Sequence, residues 1–228
     1  LTDLEHGATA ITLNGAPESA EKLRPILQGV YLDLAPIHLS SGSSTVQADA
    51  LLEVCDDSES KSESLRSNLG LDPIGRLART GQSVLPLDQE INQCAEMAAA
   101  VSTTFPRVVP ISVDGSTWAN AGASDSQELG AVLSAGVMWI RALVEAGIDI
   151  NAVSSKIEFT LSAGPDQFLT TAKIRAARVC WARIVNACGG DPSVSPLFIH
   201  AETSQSMMTK TDSWVNMLRT TAACFASA

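Results

Sequence analysis

The feature that most constrains the fold of this chain is a regular alternation of short apolar segments with amphipathic ones. Each apolar segment is followed by a stretch that carries apolar residues at helical spacing, and no hairpin turn signal joins two apolar segments directly. This alternation predicts a parallel sheet whose strands are connected by right-handed helical crossovers. The six predicted strands lie at residues 8–14, 35–39, 64–71, 108–113, 156–161 and 197–201.

Several helix boundaries carry a local chemical signal. Ser44 and Gln47 have the spacing of a capping box, which predicts the start of a helix. Asp88 is a candidate N-cap for a second helix, and Pro165 lies where the first position of a third helix tolerates proline. The polar and charged stretch at residues 56–64 predicts a solvated, mobile connection.

Two closures of such a sheet fit the pattern, an open doubly wound sheet and a (β/α)8 barrel. No Gly-x-Gly-x-x-Gly sequence follows a predicted strand, which argues against a dinucleotide-binding doubly wound sheet. The pattern therefore favours an α/β fold of the TIM-barrel type, with about six of the eight β–α units present in residues 1–228. The chain opens inside a structured-looking segment without an initiator Met, which indicates a fragment or a processed chain.

Composition and charge narrow the class of protein. The chain has 228 residues, 45% of them hydrophobic, which is enough for one sizeable core. Its formal net charge of −10 argues against nucleic acid or an anionic membrane as the main partner. Five cysteines without a Cys-x-x-Cys pair indicate reduced thiols. Neither a signal peptide nor an apolar run long enough to span a bilayer is predicted, so a cytoplasmic location is expected.

Candidate ligand-facing residues follow the carboxyl end of each predicted strand, because that end of a parallel barrel carries the binding loops. The set contains hydroxyls and carboxylates but neither Cys nor Lys. No Ser/His/Asp triad, P-loop or metal-ligand spacing is present, so no metal site is predicted. The residues are Asn14, Ser40, Ser41, Asp72, Asp114, Ser116, Thr117, Ser162, Gly164, Glu202 and Thr203.

Two pairs within this set have alternative interpretations. His200 and Glu202 point to one face of the sixth strand, since side chains alternate with a period of two. They predict either a polar site or a single hydrogen-bonded core histidine. Asp72 and Asp114 end different strands and predict either a converging acid–base pair or ordinary Asp-Pro and Asp-Gly turns.

A basic group on the long helix after the fifth strand is also ambiguous. Lys173, Arg175 and Arg178 lie beside an apolar stripe. They would bind a phosphate or carboxylate if they reach the barrel rim. Otherwise they form a solvated helix face.

Several longer motifs give a family resemblance. They read ISVDGSTWANAGASDSQELG at 111–130, FLTTAKIRAARVCWARI at 168–184, FIHAETSQSMMT at 198–209 and NMLRTT at 216–221. In order and spacing they resemble the barrel of methylmalonyl-CoA mutases. NLGLDPIGRLARTG at 68–81 and DLEHGATAITL at 3–13 are similar to the small-subunit branch of that family.

The resemblance also shows departures from the catalytic chains of the family. Those chains carry Gly-Tyr-His after the fourth strand, where residues 115–117 read Gly-Ser-Thr. Their Gln-Asn-Asp at the third strand is Gly-Leu-Asp at residues 70–72, and in their His-x-Gln-Thr Glu202 replaces the Gln. An anionic Glu is a poor neighbour for a carboxylate substrate. The resemblance therefore implies no catalytic residue in this chain and the vestigial positions Ser116, Thr117, His200, Glu202 and Asp72.

What the family does is implied in the same way. Family members isomerise methylmalonyl-CoA to succinyl-CoA with adenosylcobalamin, which binds a separate C-terminal domain through an Asp-x-His-x-x-Gly motif. None of the three histidines here has that context. The resemblance implies that a large catalytic subunit, the partner in a heterodimer, holds the cofactor.

Two other functions remain open from the residues alone. One is a self-sufficient acyl-CoA mutase or lyase that uses Asp72, Asp114, His200 and Glu202. The other is an acyl-CoA-binding module that needs only the rim and the basic group on the long helix.

Overall fold

The computed structural model describes residues 1–58 and 61–228, so the predicted connection at 56–64 falls partly on residues 59 and 60, outside the described residues. The strands are β1 (Ile11–Leu13), β2 (Ile37–Leu39), β3 (Asn68–Leu71), β4 (Val109–Asp114), β5 (Ile157–Ala163) and β6 (Phe198–Thr203). The helices are α1 (Thr2–Glu5), α2 (Ala20–Ile26), α3 (Thr45–Asp56), α4 (Pro73–Thr80), α5 (Leu87–Thr104), α6 (Ser116–Asn120), α7 (Asp125–Glu145), α8 (Ile150–Val153), α9 (Gln167–Ala187) and α10 (Ser213–Ser227).

The strands form one six-stranded sheet in the order β1-β2-β3-β4-β5-β6. The pairs β1–β2, β2–β3, β3–β4 and β5–β6 are parallel. A doubly wound sheet reverses its strand order at a switch point, and this sheet has no reversal. The predicted parallel α/β fold is confirmed, and each predicted strand overlaps an observed one.

The chain divides into two compact units, each with its own core. Unit 1 comprises Leu1–Ser112 with Ala142–Ile148, and unit 2 comprises Val113–Arg141 with Asp149–Ala228. In unit 1, fully buried apolar side chains from α2, α3 and the first strands pack together, each worth about 1.5–3 kcal/mol of transfer free energy. These side chains include Leu23, Ile37, Leu51 and Leu69.

The turn before α3 shows how the sequence sets a boundary in unit 1. The Ser44 side chain accepts from the Gln47 N–H at 3.2 Å, and the Ser44 N–H donates to Gln47 Oε1 at 2.9 Å. Both arms of the predicted capping box are therefore present. Nearby, a Cβ on Gly70 would lie 2.4 Å from the Ser40 carbonyl oxygen, and Gly70 has φ of +65°. Only glycine fits this close approach of β3 to the chain after β2.

The core of unit 2 is built around two tryptophans. Trp139 and Trp181 are almost fully buried. The Trp181 ring meets Phe159 edge-on with centroids 4.8 Å apart, and its Nε1 donates to Ser154 Oγ at 3.0 Å. A Cβ on Gly136 would lie 2.7 Å from the Trp181 ring, so a glycine lets α7 approach this cluster closely.

Two predicted helix starts are wrong. Helix α5 begins at Leu87 after Pro86, so Asp88 lies inside the first turn and is not the N-cap. Pro165 precedes α9 and does not begin it. The Asp166 carboxylate caps that helix by accepting from the Leu169 N–H at 3.0 Å. A carboxylate satisfies an orphan N–H of the first turn, which proline cannot do.

Helix α7 is long and apolar enough to cross a membrane by length and composition, which the sequence analysis did not anticipate. Its packing is that of a core helix, because Val132 and Trp139 are buried in unit 2. It also carries the buried Glu128, whose carboxylate is paired with a lysine. A paired buried charge belongs in a protein interior and is unfavourable facing lipid.

Candidate functional site

The carboxyl end of β4 forms a tight turn into α6. The buried Asp114 accepts from the Ser116 N–H at 2.9 Å, and the Thr117 hydroxyl lies 3.4 Å from its other carboxylate oxygen. Asp114 thus organises the start of a short helix. The turn interpretation of this residue is the one that the contacts support.

Gly115 fixes this turn against β5. Its N–H donates to the Thr160 carbonyl at 2.9 Å. A Cβ at this position would lie 2.7 Å from the same carbonyl oxygen, 2.8 Å from Glu128 Oε1 and 2.9 Å from Val132. No side chain fits between these atoms, so Ser116 and Thr117 are held beside the end of β5.

Behind the turn lies a buried ion pair that the sequence analysis missed. Lys173 Nζ is 2.6 Å from Glu128 Oε2 and 2.7 Å from Asp125 Oδ1, and Glu128 Oε1 accepts from the Ser162 N–H at 2.7 Å. The Glu128 and Lys173 side chains are only 1% and 3% exposed. Burial raises the pKa of Glu128, while the hydrogen bonds from Lys173 and Ser162 act in the opposite direction.

A signal for this pair exists in the sequence. Lys173 lies on the stripe of α9 that Thr170, Ala177 and Trp181 define at spacings of three and four residues. A lysine inside an apolar stripe is buried with the stripe and needs a buried carboxylate partner. That requirement predicts an acidic residue on a neighbouring element.

The predicted pairing of His200 with Glu202 on one face of β6 has a definite neighbourhood. In the β5–β6 register, Thr160 lies beside His200 and Ser162 beside Glu202. His200 is exposed on the edge strand β6, and Glu202 is half-buried. The two residues belong to a polar group on the sheet surface.

Glu202 interacts with the β4 turn as well. Burial raises the pKa of Glu202, and so does the nearby Asp114 carboxylate. The charge of His200 and a hydrogen bond with Ser116 act in the opposite direction. The structure therefore brings Asp114, Ser116, His200 and Glu202 together within unit 2, with two carboxylates on a shared site.

Asp72 has a separate role in unit 1. It is almost fully buried and caps α4, accepting from the Gly75 N–H at 2.8 Å and from the Ser41 hydroxyl at 2.9 Å. Like Asp114, it is engaged in its own turn. The contacts of these two carboxylates fit the turn interpretation rather than an acid–base pair.

The structure does not gather the predicted basic group into one cluster. Lys173 is buried and paired with two carboxylates. Arg178 Nη1 donates to the Leu197 carbonyl at 3.2 Å, directly before the first residue of β6 and so at the amino end of that strand. Arg175 is exposed elsewhere on α9. Lys173 and Arg178 therefore have structural partners.

The thiols and potential metal ligands show no further centre within residues 1–58 and 61–228. All five cysteines are unpaired thiols. Burial raises the pKa of Cys55 to about 11 and that of Cys94 to about 12, which keeps both protonated near neutral pH. In these ranges no group of three His, Cys, Asp or Glu is arranged to hold a metal ion.

Fold and site together define an α/β protein with a sequentially ordered parallel sheet and a polar site at the carboxyl ends of its strands. The family model described as methylmalonyl-CoA mutase matches residues 10–228. The chain belongs to the methylmalonyl-CoA mutase family.

Sequence identities to individual family members show how similar the chain is to each named subunit. The chain is 41% identical to a methylmalonyl-CoA mutase small subunit of Streptomyces virginiae, over 98% of this chain and 36% of the relative. It is 32% identical to the small subunit of Propionibacterium freudenreichii subsp. shermanii, over 100% of this chain and 35% of the relative. The large subunit of that organism is 27% identical over 90% of this chain and 28% of its own length. The chain thus spans about a third of the length of these relatives.

Proposed function

We propose that the chain is part of the small subunit of a cobalamin-dependent methylmalonyl-CoA mutase. In this proposal it acts in the cytoplasm as the non-catalytic partner of a large subunit in a heterodimer. Relatives named small subunit at 41% and 32% identity support the assignment. Both named subunits of one organism resemble the chain, with the small subunit the more similar, which supports a two-subunit enzyme.

The observation that carries the non-catalytic role is the β4 turn. Ser116 and Thr117 stand where the resemblance places the Tyr and His of catalytic chains, and both contact Asp114. A serine and a threonine supply neither an aromatic ring nor an imidazole to a reacting substrate. Isomerisation of methylmalonyl-CoA to succinyl-CoA would therefore belong to the large subunit.

The cofactor does not fit this chain. His6 is exposed and its Nδ1 lies 2.7 Å from the Thr2 carbonyl oxygen. His38 lies within β2, and His200 lies beside a carboxylate. None of these contexts resembles the Asp-x-His-x-x-Gly motif. The proposal therefore places adenosylcobalamin in the large subunit, as the family resemblance implies.

The proposal also includes the complete fold of the longer protein. The sequential parallel sheet is consistent with six units of an eight-unit TIM-type barrel, the remaining two belonging to the longer protein. Partial coverage of the relatives supports this arrangement, since the matched segment is only 36% of the Streptomyces virginiae protein.

A second candidate function is binding of an acyl-CoA without turnover. Its support is the hydroxyl-bearing face of β5, where Thr160 and Ser162 are buried in the sheet. Hydroxyls donate to and accept from the amide groups of a pantetheine chain. This candidate needs no catalytic residue, so it is compatible with the small-subunit assignment.

Copurification tests the subunit assignment. The full protein is tagged in its native host, purified under gentle conditions, and its companions are identified by mass spectrometry. We expect a stoichiometric larger homologue that carries Gly-Tyr-His and Asp-x-His-x-x-Gly. Mutase activity is expected from the complex and not from the small subunit alone. A homo-oligomer with mutase activity of its own would instead establish the self-sufficient enzyme.

A further inference from the structure

The turn that follows β1 consists of Asn14 and Gly15, and both residues are exposed. Of the asparagines in the chain, Asn14 alone is followed by a glycine. Gly15 has a φ of +68°, and a Cβ built on it would meet no atom within 4 Å. Among the residues that the structure describes, neither the Asn14 side-chain amide nor the Gly15 N–H has a hydrogen-bond partner. Because glycine has no side chain, the Gly15 nitrogen is open to approach from the Asn14 side chain.

An asparagine in this setting has a definite reaction with its own backbone. The Gly15 nitrogen attacks Asn14 Cγ and forms a C–N bond that closes a succinimide ring. The bond from Cγ to Nδ2 breaks, and ammonia leaves with the proton of the Gly15 N–H. Water then opens the ring at either carbonyl, which gives aspartate or isoaspartate. Asparagine belongs to the thermolabile residues of proteins.

Asp114 and Gly115 present the same kind of neighbours in unit 2, with a carboxyl group in place of the amide. There the Gly115 N–H donates to the Thr160 carbonyl at 2.9 Å, and an Asp114 carboxylate oxygen accepts from the Ser116 N–H at 2.9 Å. Asp114 is also only 8% exposed. The nitrogen and the carboxyl group are both held by other partners, so the fold protects this sequence from ring closure.

We propose that Asn14 is a site of spontaneous deamidation, in which the Gly15 nitrogen displaces ammonia and water converts the exposed amide into aspartate and isoaspartate. The reaction needs no co-reactant besides water. It uses only the turn after β1, so it does not depend on the subunit assignment.

The product should disturb the start of α3. The turn lies between two anchored carbonyls: that of Leu13 accepts from the Ser40 N–H at 3.0 Å, and that of Ala16 accepts from Gln47 Nε2 at 2.6 Å. Isoaspartate inserts a methylene into the main chain between these anchors. Since Gln47 also completes the capping box of α3, a displaced Ala16 carbonyl weakens the contacts of that helix start.

The test follows the full protein during incubation at mildly alkaline pH. Samples are digested, and mass spectrometry measures in each peptide the replacement of an amide by a carboxyl group. An isoaspartyl methyltransferase assay measures isoaspartate in the same peptides. Asn120 is the internal control, because it is exposed at the end of α6 and is followed by Ala121, whose Cβ hinders the attack.

A steric difference of about 1.4 kcal/mol in the barrier corresponds to a tenfold difference in rate, so the Asn14 peptide should convert roughly tenfold faster than the Asn120 peptide. Asn14→Gln keeps the amide but requires a larger ring, and it should abolish the isoaspartate signal at this turn. Equal rates for the two peptides, or an isoaspartate signal that persists in Asn14→Gln, would overturn the proposal.

Two further comparisons test the part that the fold plays. The Asp114 peptide should accumulate isoaspartate in urea but not in the folded protein, and equal accumulation in both would contradict the protection by its contacts. Asn14→Asp adds the negative charge without the methylene. The isoaspartate form, separated by anion exchange, should therefore unfold at a lower urea concentration than Asn14→Asp, and coincident unfolding curves would contradict the disturbance of α3.

Discussion

The two sides of the end of β5 hold carboxylates in opposite electrostatic settings. On the helix side, Glu128 is paired with Lys173 and also accepts from the Ser162 N–H. On the other side, Glu202 lies beside Ser162 in the register and faces Asp114, another carboxylate.

The difference separates a carboxylate paired with a cation from a carboxylate that lies near a like charge. A carboxylate with a matching cation and a backbone donor has its charge satisfied within the protein, so it stabilises one arrangement of α7, α9 and β5. The Glu202 carboxylate lies near a second carboxylate, and both burial and that neighbour raise its pKa.

The largest expected effect is on the paired side. Lys173→Met leaves the Glu128 carboxylate buried without its cation, which should lower the free energy of unfolding by about 3–5 kcal/mol. Urea titration measures this change. The double variant Glu128→Gln/Lys173→Met should recover most of the loss, because no unpaired charge remains.

Arg175→Met is the matched control for this prediction. It removes a cation from the same helix at an exposed position and should change stability by less than about 0.5 kcal/mol. A loss at Lys173 no larger than that of the control would show that the buried pair is unimportant for stability.

The second-largest expected effect on stability is at the turn between β4 and α6, where Gly115 lies against β5. Gly115→Ala places a Cβ 2.7 Å from the Thr160 carbonyl oxygen and should cost about 2–3 kcal/mol. Gly130→Ala is the control, since a Cβ there meets nothing within 4 Å. That control should stabilise α7 by about 0.5–1 kcal/mol. Thermal melts of both variants distinguish a steric cause from a general effect of removing glycine, which would move both in one direction.

Periodicity predicted the parts of this molecule that depend on local pattern. All six strands and the capping box at Ser44 follow from spacing and side-chain type. The placement of His200 and Glu202 on one face also follows, because strand alternation is geometric. The sequence favoured the sequential strand order over a doubly wound sheet only indirectly, because no dinucleotide-binding fingerprint follows a predicted strand.

What the sequence analysis missed depends on contacts between distant segments. Glu128 and Lys173 are 45 residues apart, and no local rule pairs them. The basic group on α9 was judged from composition, although Lys173 lies on the buried stripe of that helix. Asp88 and Pro165 were assigned by residue preference, whereas the chain uses Pro86 and Asp166 at those helix starts.

A smaller effect on stability is expected in unit 1, where Glu90 is a further carboxylate to compare. Glu90 accepts from the Val84 and Leu85 N–H groups at 2.8 and 2.9 Å and pairs with Arg76. Burial opposes its ionisation, yet these donors lower the pKa of Glu90 below 4.5. Glu90 therefore contributes stability that is present above pH 4.5 and is lost as the pH falls through the folded-state pKa.

Glu90→Gln tests this pH dependence. The variant keeps an acceptor for the two N–H groups but loses the charge, which should cost about 1 kcal/mol at neutral pH. Urea titrations across the acidic range should show the difference from the unaltered protein shrinking as the pH falls. A difference that is constant with pH would mean that the charge of Glu90 contributes nothing.

Glu202 should show the smallest effect and the opposite sign. Its pKa is raised above 4.5 by burial and by Asp114, so its contribution is present below pH 4.5 and is lost as the pH rises through the folded-state pKa. Glu202→Gln removes that loss and should be more stable than the unaltered protein at neutral pH by about 0.5 kcal/mol, since the side chain is partly exposed. At neutral pH, urea titrations should therefore show that the Glu90 variant is less stable and the Glu202 variant more stable than the unaltered protein. Both differences in the free energy of unfolding should shrink at acidic pH. If both variants were destabilised at neutral pH, the charge of Glu202 would be satisfied like that of Glu128. The contrast between the two sides of β5 would then rest on geometry alone.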